Sequence, residues 1–262
     1  MPALRLLAAL ALLLLAPVTA QASGCFPVAA APPRVHQAGL TQAALPAGAT
    51  VQLTFLGHSS FLIETAGGVT AVTDYNGYIR APITPDIVTM NNAHSTHYTD
   101  VIEPGVRHVL RGWNPAAGEA QHDLTERDLR VRNIPTSVHG RFGTQGNSNS
   151  IFIFEVADLC IAHLGHLHHV LDRDRLGDLG QIDVLLVPVD GAYTMSQPEM
   201  AEVIDQITAP LVIPMHYFGA STLGRFLDLV DEQYEVVVSD TPTIALSRAT
   251  LPRKRVLVLP GE

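Results

Sequence analysis

Thr54-Phe55-Leu56-Gly57-His58-Ser59-Ser60-Phe61-Leu62-Ile63-Glu64 carries two apolar runs on either side of a glycine-containing turn. Upstream, Val51, Leu53 and Phe55 alternate with polar residues, the period of a half-buried strand. Phe61-Leu62-Ile63 and Val69 to Val72 repeat the signal after short turns, so the body opens as a run of strands. Working outward, Ile87-Val88-Thr89-Met90 reads as another strand. Ile151 to Val156 and Cys160-Ile161-Ala162 read as a hairpin around Ala157-Asp158. Gly143 to Gly146 reads as a turn. Val184 to Val187 and Leu211 to Ile213 are unbroken apolar runs, which suits strands covered on both faces. Between them Ser196-Gln197-Pro198-Glu199 forms a capping-box start for a helix running to Ile207, and Gly224 to Val230 reads as a further helix. Strands first, then strands alternating with helices, predict an α/β domain of two packed sheets with helices outside.

The flanks divide the chain. Residues 1–24 have a signal-peptide layout: Arg5, an apolar stretch from Leu6 to Ala16, Pro17 and small residues after it. Residues 25–50 are an Ala/Pro-rich linker, and 51–262 form the domain. The chain is therefore expected to be exported, either periplasmic or a membrane-anchored lipoprotein. Ala22-Ser23-Gly24-Cys25 resembles a lipobox, which offers a membrane tether through a lipidated Cys25. A Cys25–Cys160 disulfide is the alternative use of that thiol, and otherwise Cys160 is expected as a buried, inert thiol. A hydrophobic share of 47% supports a sizeable core, and a net charge of −9 excludes nucleic acid as a partner. A small-molecule substrate remains the expected partner.

The histidines carry the functional signal. His94 and His97 follow Ile87–Met90, His163 and His166 follow Cys160–Ala162, and His216 follows Leu211–Ile213. Three apolar strands thus end in imidazoles, and metal sites gather ligands from such distant segments. His36, His108 and His122 lie outside these groups. His169 is expected to face solvent or cap a loop.

These residues resemble the metallo-β-lactamase superfamily, in a branch similar to ascorbate-6-phosphate lactonase. The likeness rests on the Thr54–Glu64 stretch, Asp74, Pro85-Asp86-Ile87-Val88, Gly146-Asn147-Ser148-Asn149-Ser150, which resembles the family's Gly-Asn-Ser turn, His163-Leu164-Gly165 and Pro214-Met215-His216-Tyr217, all in the family's order. It implies a four-layer αββα sandwich and a metal-dependent hydrolase. In the family's His-x-His-x-Asp-His motif the ligand slots fall here on Asn92, His94, Thr96 and His97. A later Asp slot falls on His166, and an intervening His slot on His139. Two carboxylate ligands are thus replaced. Without them two divalent ions would repel each other strongly, so a single metal is expected.

The implied ligands are His94, His97, His139, His166 and His216. The metal is expected to be zinc, with manganese or iron as substitutes. His168 is the candidate general base and Thr96 a candidate catalytic group. Asn92, His58, Asp74 and His163 are expected to support the ligands from behind. One reading is an exported hydrolase of a small ester, lactone or phosphoester that uses metal-activated water. The other is a non-catalytic metal- or ligand-binding envelope protein on the same fold. A redox site of iron, copper or nickel is a third.

Overall fold

The computed structural model describes Cys25 and residues 45–116, 118–140 and 143–261. The signal segment 1–24 and linker residues 26–44 lie outside the described residues. Two sheets form the body. The first contains β1 (Val51–Gly57), β2 (Ser60–Thr65), β3 (Thr70–Val72), β4 (Ile87–Met90), β5 (His108–Arg111) and β13 (Thr243–Leu246), in the order β13-β1-β2-β3-β4-β5. The second contains β6 (Asp123–Glu126), β7 (Leu129–Gly140), β8 (Gly143–Val156), β9 (Leu159–His163), β10 (Val184–Pro188), β11 (Leu211–Met215), β12 (Glu235–Val238) and β14 (Arg255–Val258), in the order β12-β14-β11-β10-β9-β8-β7-β6. The helices are α1 (Arg173–Leu179), α2 (Gln197–Ile207) and α3 (Ala220–Val230).

Strand alternation builds the layers. Leu53, Phe55, Phe61, Ile63, Ala71 and Ile87 of the first sheet meet Phe152, Phe154, Ile161, Leu186 and Ile213 of the second in one core. The opposite face of the second sheet, with Ile153, Ala162, Leu185 and Val212, packs against Leu179 of α1, Met200, Val203 and Ile204 of α2 and Phe226 of α3. The expected capping box of α2 is formed: the Ser196 side chain accepts from the Glu199 amide, and the Glu199 carboxylate accepts from the Ser196 amide. The two-sheet α/β architecture is the expected one, with a difference in the outermost layer. Leu62, Val72, Val88 and Met90 on the outer face of the first sheet are covered by Ile79, Tyr98, Ile102 and Trp113, which come from loops rather than helices.

Several local expectations are corrected. Gly143–Ser150 is not a pair of turns but the first half of β8, held in register by β7. β7 itself contains Pro135. Beyond Arg132, where pairing with β6 stops, β8 is its remaining neighbour among the described strands, and a proline is tolerated at such an edge. The last helix begins at Ala220, four residues before the expected start. Cys160 is buried as expected but is not a free thiol, because it is disulfide-bonded to Cys25. That bond commits the Cys25 sulfur, so a thioether-linked lipid on the same atom is incompatible with it. Among the described residues no helix is long and apolar enough to cross a membrane.

Candidate metal centre

β9, β10 and β11 run parallel, so their C-terminal ends share one edge of the second sheet. In parallel sheets this edge is where loops converge to build sites. The β1–β2 turn closes onto the same edge, where the His216 amide donates to the His58 carbonyl at 2.6 Å. The loop after β4 arrives from the first sheet. The His97 amide donates to the His94 carbonyl at 2.7 Å, and this tight turn leaves His97 buried inside and His94 exposed outside.

His58, His97 and His216 meet there. Each offers a ring nitrogen, and these atoms lie within 4.8 Å of one another. The His97 and His216 rings are stacked 5.1 Å apart, with His58 4.2 Å from His216 and 5.4 Å from His97. His166 faces the same space, its ring 4.8 Å from His97 and 5.5 Å from His216.

Two buried carboxylates fix the ring orientations. Asp74 Oδ2 lies 2.7 Å from His97 Nδ1, and Asp190 Oδ1 lies 3.0 Å from His216 Nδ1. An ionised carboxylate only accepts, so both Nδ1 atoms carry the proton and both Nε2 lone pairs are left for another partner. Burial alone would raise both carboxyls. For Asp74 the charge and hydrogen bond of His97, with His163 and Ser59, outweigh it. For Asp190 the hydrogen bonds of His216, Thr194 and the Ala192 amide do so. Both carboxyls are held well below the ordinary range. Burial, then the neighbouring His216 and His97, push His58 down to about 4. Burial and His97 likewise push His166 far below its ordinary value. Neutral imidazoles are the form that binds metal.

The arrangement fits a metal. Nε2 of His58 and Nε2 of His97 are buried and have no hydrogen-bond partner. An unpaired buried polar atom is costly, and two aimed into one cluster of imidazoles are accounted for by an ion between them. Backbone conformation points the same way. His58, Asp74 and His216 have φ of 50°, 43° and 54°, a region non-glycine residues seldom adopt without functional reason.

The remaining sequence candidates take other places. His94 stands on the rim, its ring 6.0 Å from His97 and 6.3 Å from His166, and its Nδ1 pairs with Thr96 Oγ1 at 2.9 Å, which occupies the hydroxyl of Thr96. His139 is not brought to the centre; it sits beyond the β7 bulge, and its ring stacks 5.7 Å from His169. His168 Nε2 faces His166 Nδ1 at 2.8 Å rather than the three-histidine cluster. Asn92 donates to the Ser148 carbonyl, tying the loop to β8. Both His163 nitrogens are used: Nε2 donates to the Ser59 carbonyl at 2.7 Å and Nδ1 accepts from the Gly165 amide. His163 therefore braces the β1–β2 turn behind His58. His169 caps a loop, with Nε2 accepting from Ser137 N and Nδ1 donating to the Val170 carbonyl. Sequence reading missed Asp190. It follows the apolar strand β10 just as His216 follows β11, and a search of strand ends for carboxylates as well as imidazoles finds it.

A family model described as a beta-lactamase superfamily domain matches residues 52–216, which takes in His58, Asp74, His97, His166, Asp190 and His216. The chain belongs to the beta-lactamase superfamily. A metal-dependent hydrolase of Thermococcus kodakarensis is 27% identical over 72% of this chain and 96% of its own. One of Methanoculleus marisnigri is 28% identical over 81% of this chain and 95% of its own. A Thermotoga maritima structure named as a Zn-dependent hydrolase of the metallo-beta-lactamase superfamily is 30% identical, covers 81% of this chain and all of its own, and superposes with a TM-score of 0.60. Igni18, a metallo hydrolase of Ignicoccus hospitalis, shares the fold at 20% identity and a TM-score of 0.55. These likenesses do not narrow the superfamily to the lactonase branch. Within this beta-lactamase superfamily member, the carboxylates that count are Asp74 and Asp190, one hydrogen bond behind the imidazoles.

Proposed function

We propose that this metal-dependent hydrolase holds one divalent metal on His58, His97 and His216, with His166 alongside, and cleaves a small ester or lactone. Bound there, a metal such as zinc supplies Lewis acidity and a lowered pKa for water. The observation that carries the reading is the pair of orphaned Nε2 atoms, on His58 and His97, in a cluster of three imidazoles whose nitrogens lie within 4.8 Å of one another. Charge favours a single ion. Asp74 and Asp190 together contribute two negative charges, which balance one divalent cation and leave nothing to offset a second.

The chain's own groups divide the work. Asp74 and Asp190 hold protons at Nδ1 of His97 and His216 and so direct both Nε2 lone pairs inward. His163 and Ser59 hold the turn that carries His58. Zinc is the proposed metal, with manganese and iron as the substitutes to test. Export is proposed as well, without a lipid on Cys25; the Cys25–Cys160 bond supports it, since such bonds persist in oxidising compartments.

The test is turnover by zinc-, manganese- or iron-loaded protein on a panel of esters, lactones, a β-lactam and a phosphodiester. Ester or lactone cleavage that disappears in His97→Ala is the expected result. A loaded protein that cleaves nothing overturns the hydrolase reading in favour of a binding protein. One observation favours that second reading: both carboxylates are committed behind histidines, which leaves neither as a free general base in the centre.

A further inference from the structure

Two aromatic side chains stand beside the metal centre with most of their surface in solvent: Tyr193 is 66% and Phe218 62% exposed. Single exposed apolar residues are ordinary and need no explanation. These two differ because they touch each other and Phe218 touches the site. Their rings meet edge to face with centroids 5.6 Å apart, and Phe218 lies 5.4 Å from the His216 ring and 5.8 Å from the His58 ring.

Their placement is enforced. Asp190 Oδ2 accepts from the amides of Ala192, Tyr193 and Thr194, and Oδ1 accepts from Thr194 Oγ1. The carboxylate that orients His216 therefore also folds the loop that presents Tyr193. Phe218 is two residues past His216, whose amide is tied to the His58 carbonyl. One hydrogen-bond network thus fixes the metal-site imidazoles and the aromatic wall together. An aromatic pair at the edge of the centre is suited to an aromatic ring, through stacking and apolar burial.

From this we infer that Tyr193 and Phe218 form the specificity wall of the site, and that its substrate is an ester or lactone bearing an aryl group next to the scissile bond. The inference rests on the hydrolase reading for the bond cleaved, but not for the binding of the aryl group.

Binding is tested by saturation-transfer NMR on metal-free protein with acetanilide, and with N-methylacetamide as the non-aromatic control. Transfer to the phenyl protons of acetanilide, absent for the control and lost in Phe218→Ala and Tyr193→Ala, is expected. Both side chains are exposed, so thermal melts should show these variants folded. In the metal-loaded protein the ratio of kcat/KM for methyl phenylacetate over methyl acetate, which share a leaving group, should fall about tenfold in Phe218→Ala. Equal transfer in the variants, no transfer to acetanilide, or an unchanged ratio overturns the inference. Acetanilide binding at this wall with no turnover of any ester sinks the hydrolase reading and leaves the aryl site standing. Efficient turnover without aryl preference does the reverse.

Discussion

Asp190→Asn isolates what one buried carboxylate does for the metal centre. In the native site Asp190 Oδ1 accepts from His216 Nδ1 at 3.0 Å, which leaves the Nε2 lone pair free. An asparagine there can keep its oxygen on the three loop amides, because these all bond to Oδ2. Its NH2 group then faces Nδ1 and donates, so the proton of His216 moves to Nε2 and blocks the ligand position. Losing such a supporting group costs metal affinity roughly 10- to 100-fold, or about 1.4 to 2.7 kcal/mol. One of two compensating charges also goes, which places the expected loss toward the upper end. The assay is competition with a chromophoric chelator for zinc, with 15N NMR of the histidine rings reporting the tautomer. A folded Asp190→Asn protein with native zinc affinity and His216 still protonated on Nδ1 would refute the reasoning and reduce Asp190 to a loop staple.

Gly165 lies between His163 and His166 at a φ of 60°, and a Cβ there would meet the Asn91 side chain at 2.4 Å. Gly165→Ala should destabilise the protein by about 2 kcal/mol or more and weaken metal binding, as read by urea melts and chelator competition. For pH, the unfolded state protonates His58 near its ordinary 6.5 and the folded state only near 4, so between these values the unfolded state binds more protons. Metal-free protein should therefore lose stability as pH falls from about 6.5 toward 4, and His58→Gln should flatten that slope in thermal melts; an identical slope in the variant would contradict this. The Cys25–Cys160 bond spans 135 residues, for which chain entropy allows up to about 5 kcal/mol. Cys160→Ser should lower the urea midpoint, and a reductant should lower the wild type's midpoint while leaving the variant's unchanged.

Much of the fold is legible in the sequence where burial is two-sided. β10 and β11 are built on unbroken apolar runs and, like β4, emerge nearly at their expected bounds, and the capping box places α2. The hidden elements are those whose local signal is contradicted or weak. Pro135 argues against β7, and the polar, glycine-rich start of β8 reads as a turn until β7 pairs with it. The site shows the same division. Strand-end position brings His166 and His216 to one place, because β9, β10 and β11 are parallel and share an edge, and the loop after β4 brings His97 to it from the other sheet. Slot counting along the chain places neither His94 nor His139 among the three clustered nitrogens, although the His94 ring lies 6.0 Å from that of His97. A tight turn puts His94 on the outside, and a bulge between Thr136 and Val138 precedes His139 in β7. His58 is visible in the sequence as a supporting group, but its place beside His97 and His216 depends on a backbone bond between β1's turn and the end of β11, which no local pattern encodes.

The central claim, one metal on His58, His97 and His216, is tested most directly by metal content measured on untagged protein loaded with excess zinc and then desalted. About one equivalent in the wild type and in His94→Ala, falling to near zero in His58→Ala and His97→Ala, is the predicted result. Two equivalents in the wild type, or one equivalent that survives in His58→Ala and is lost in His94→Ala, would contradict the account.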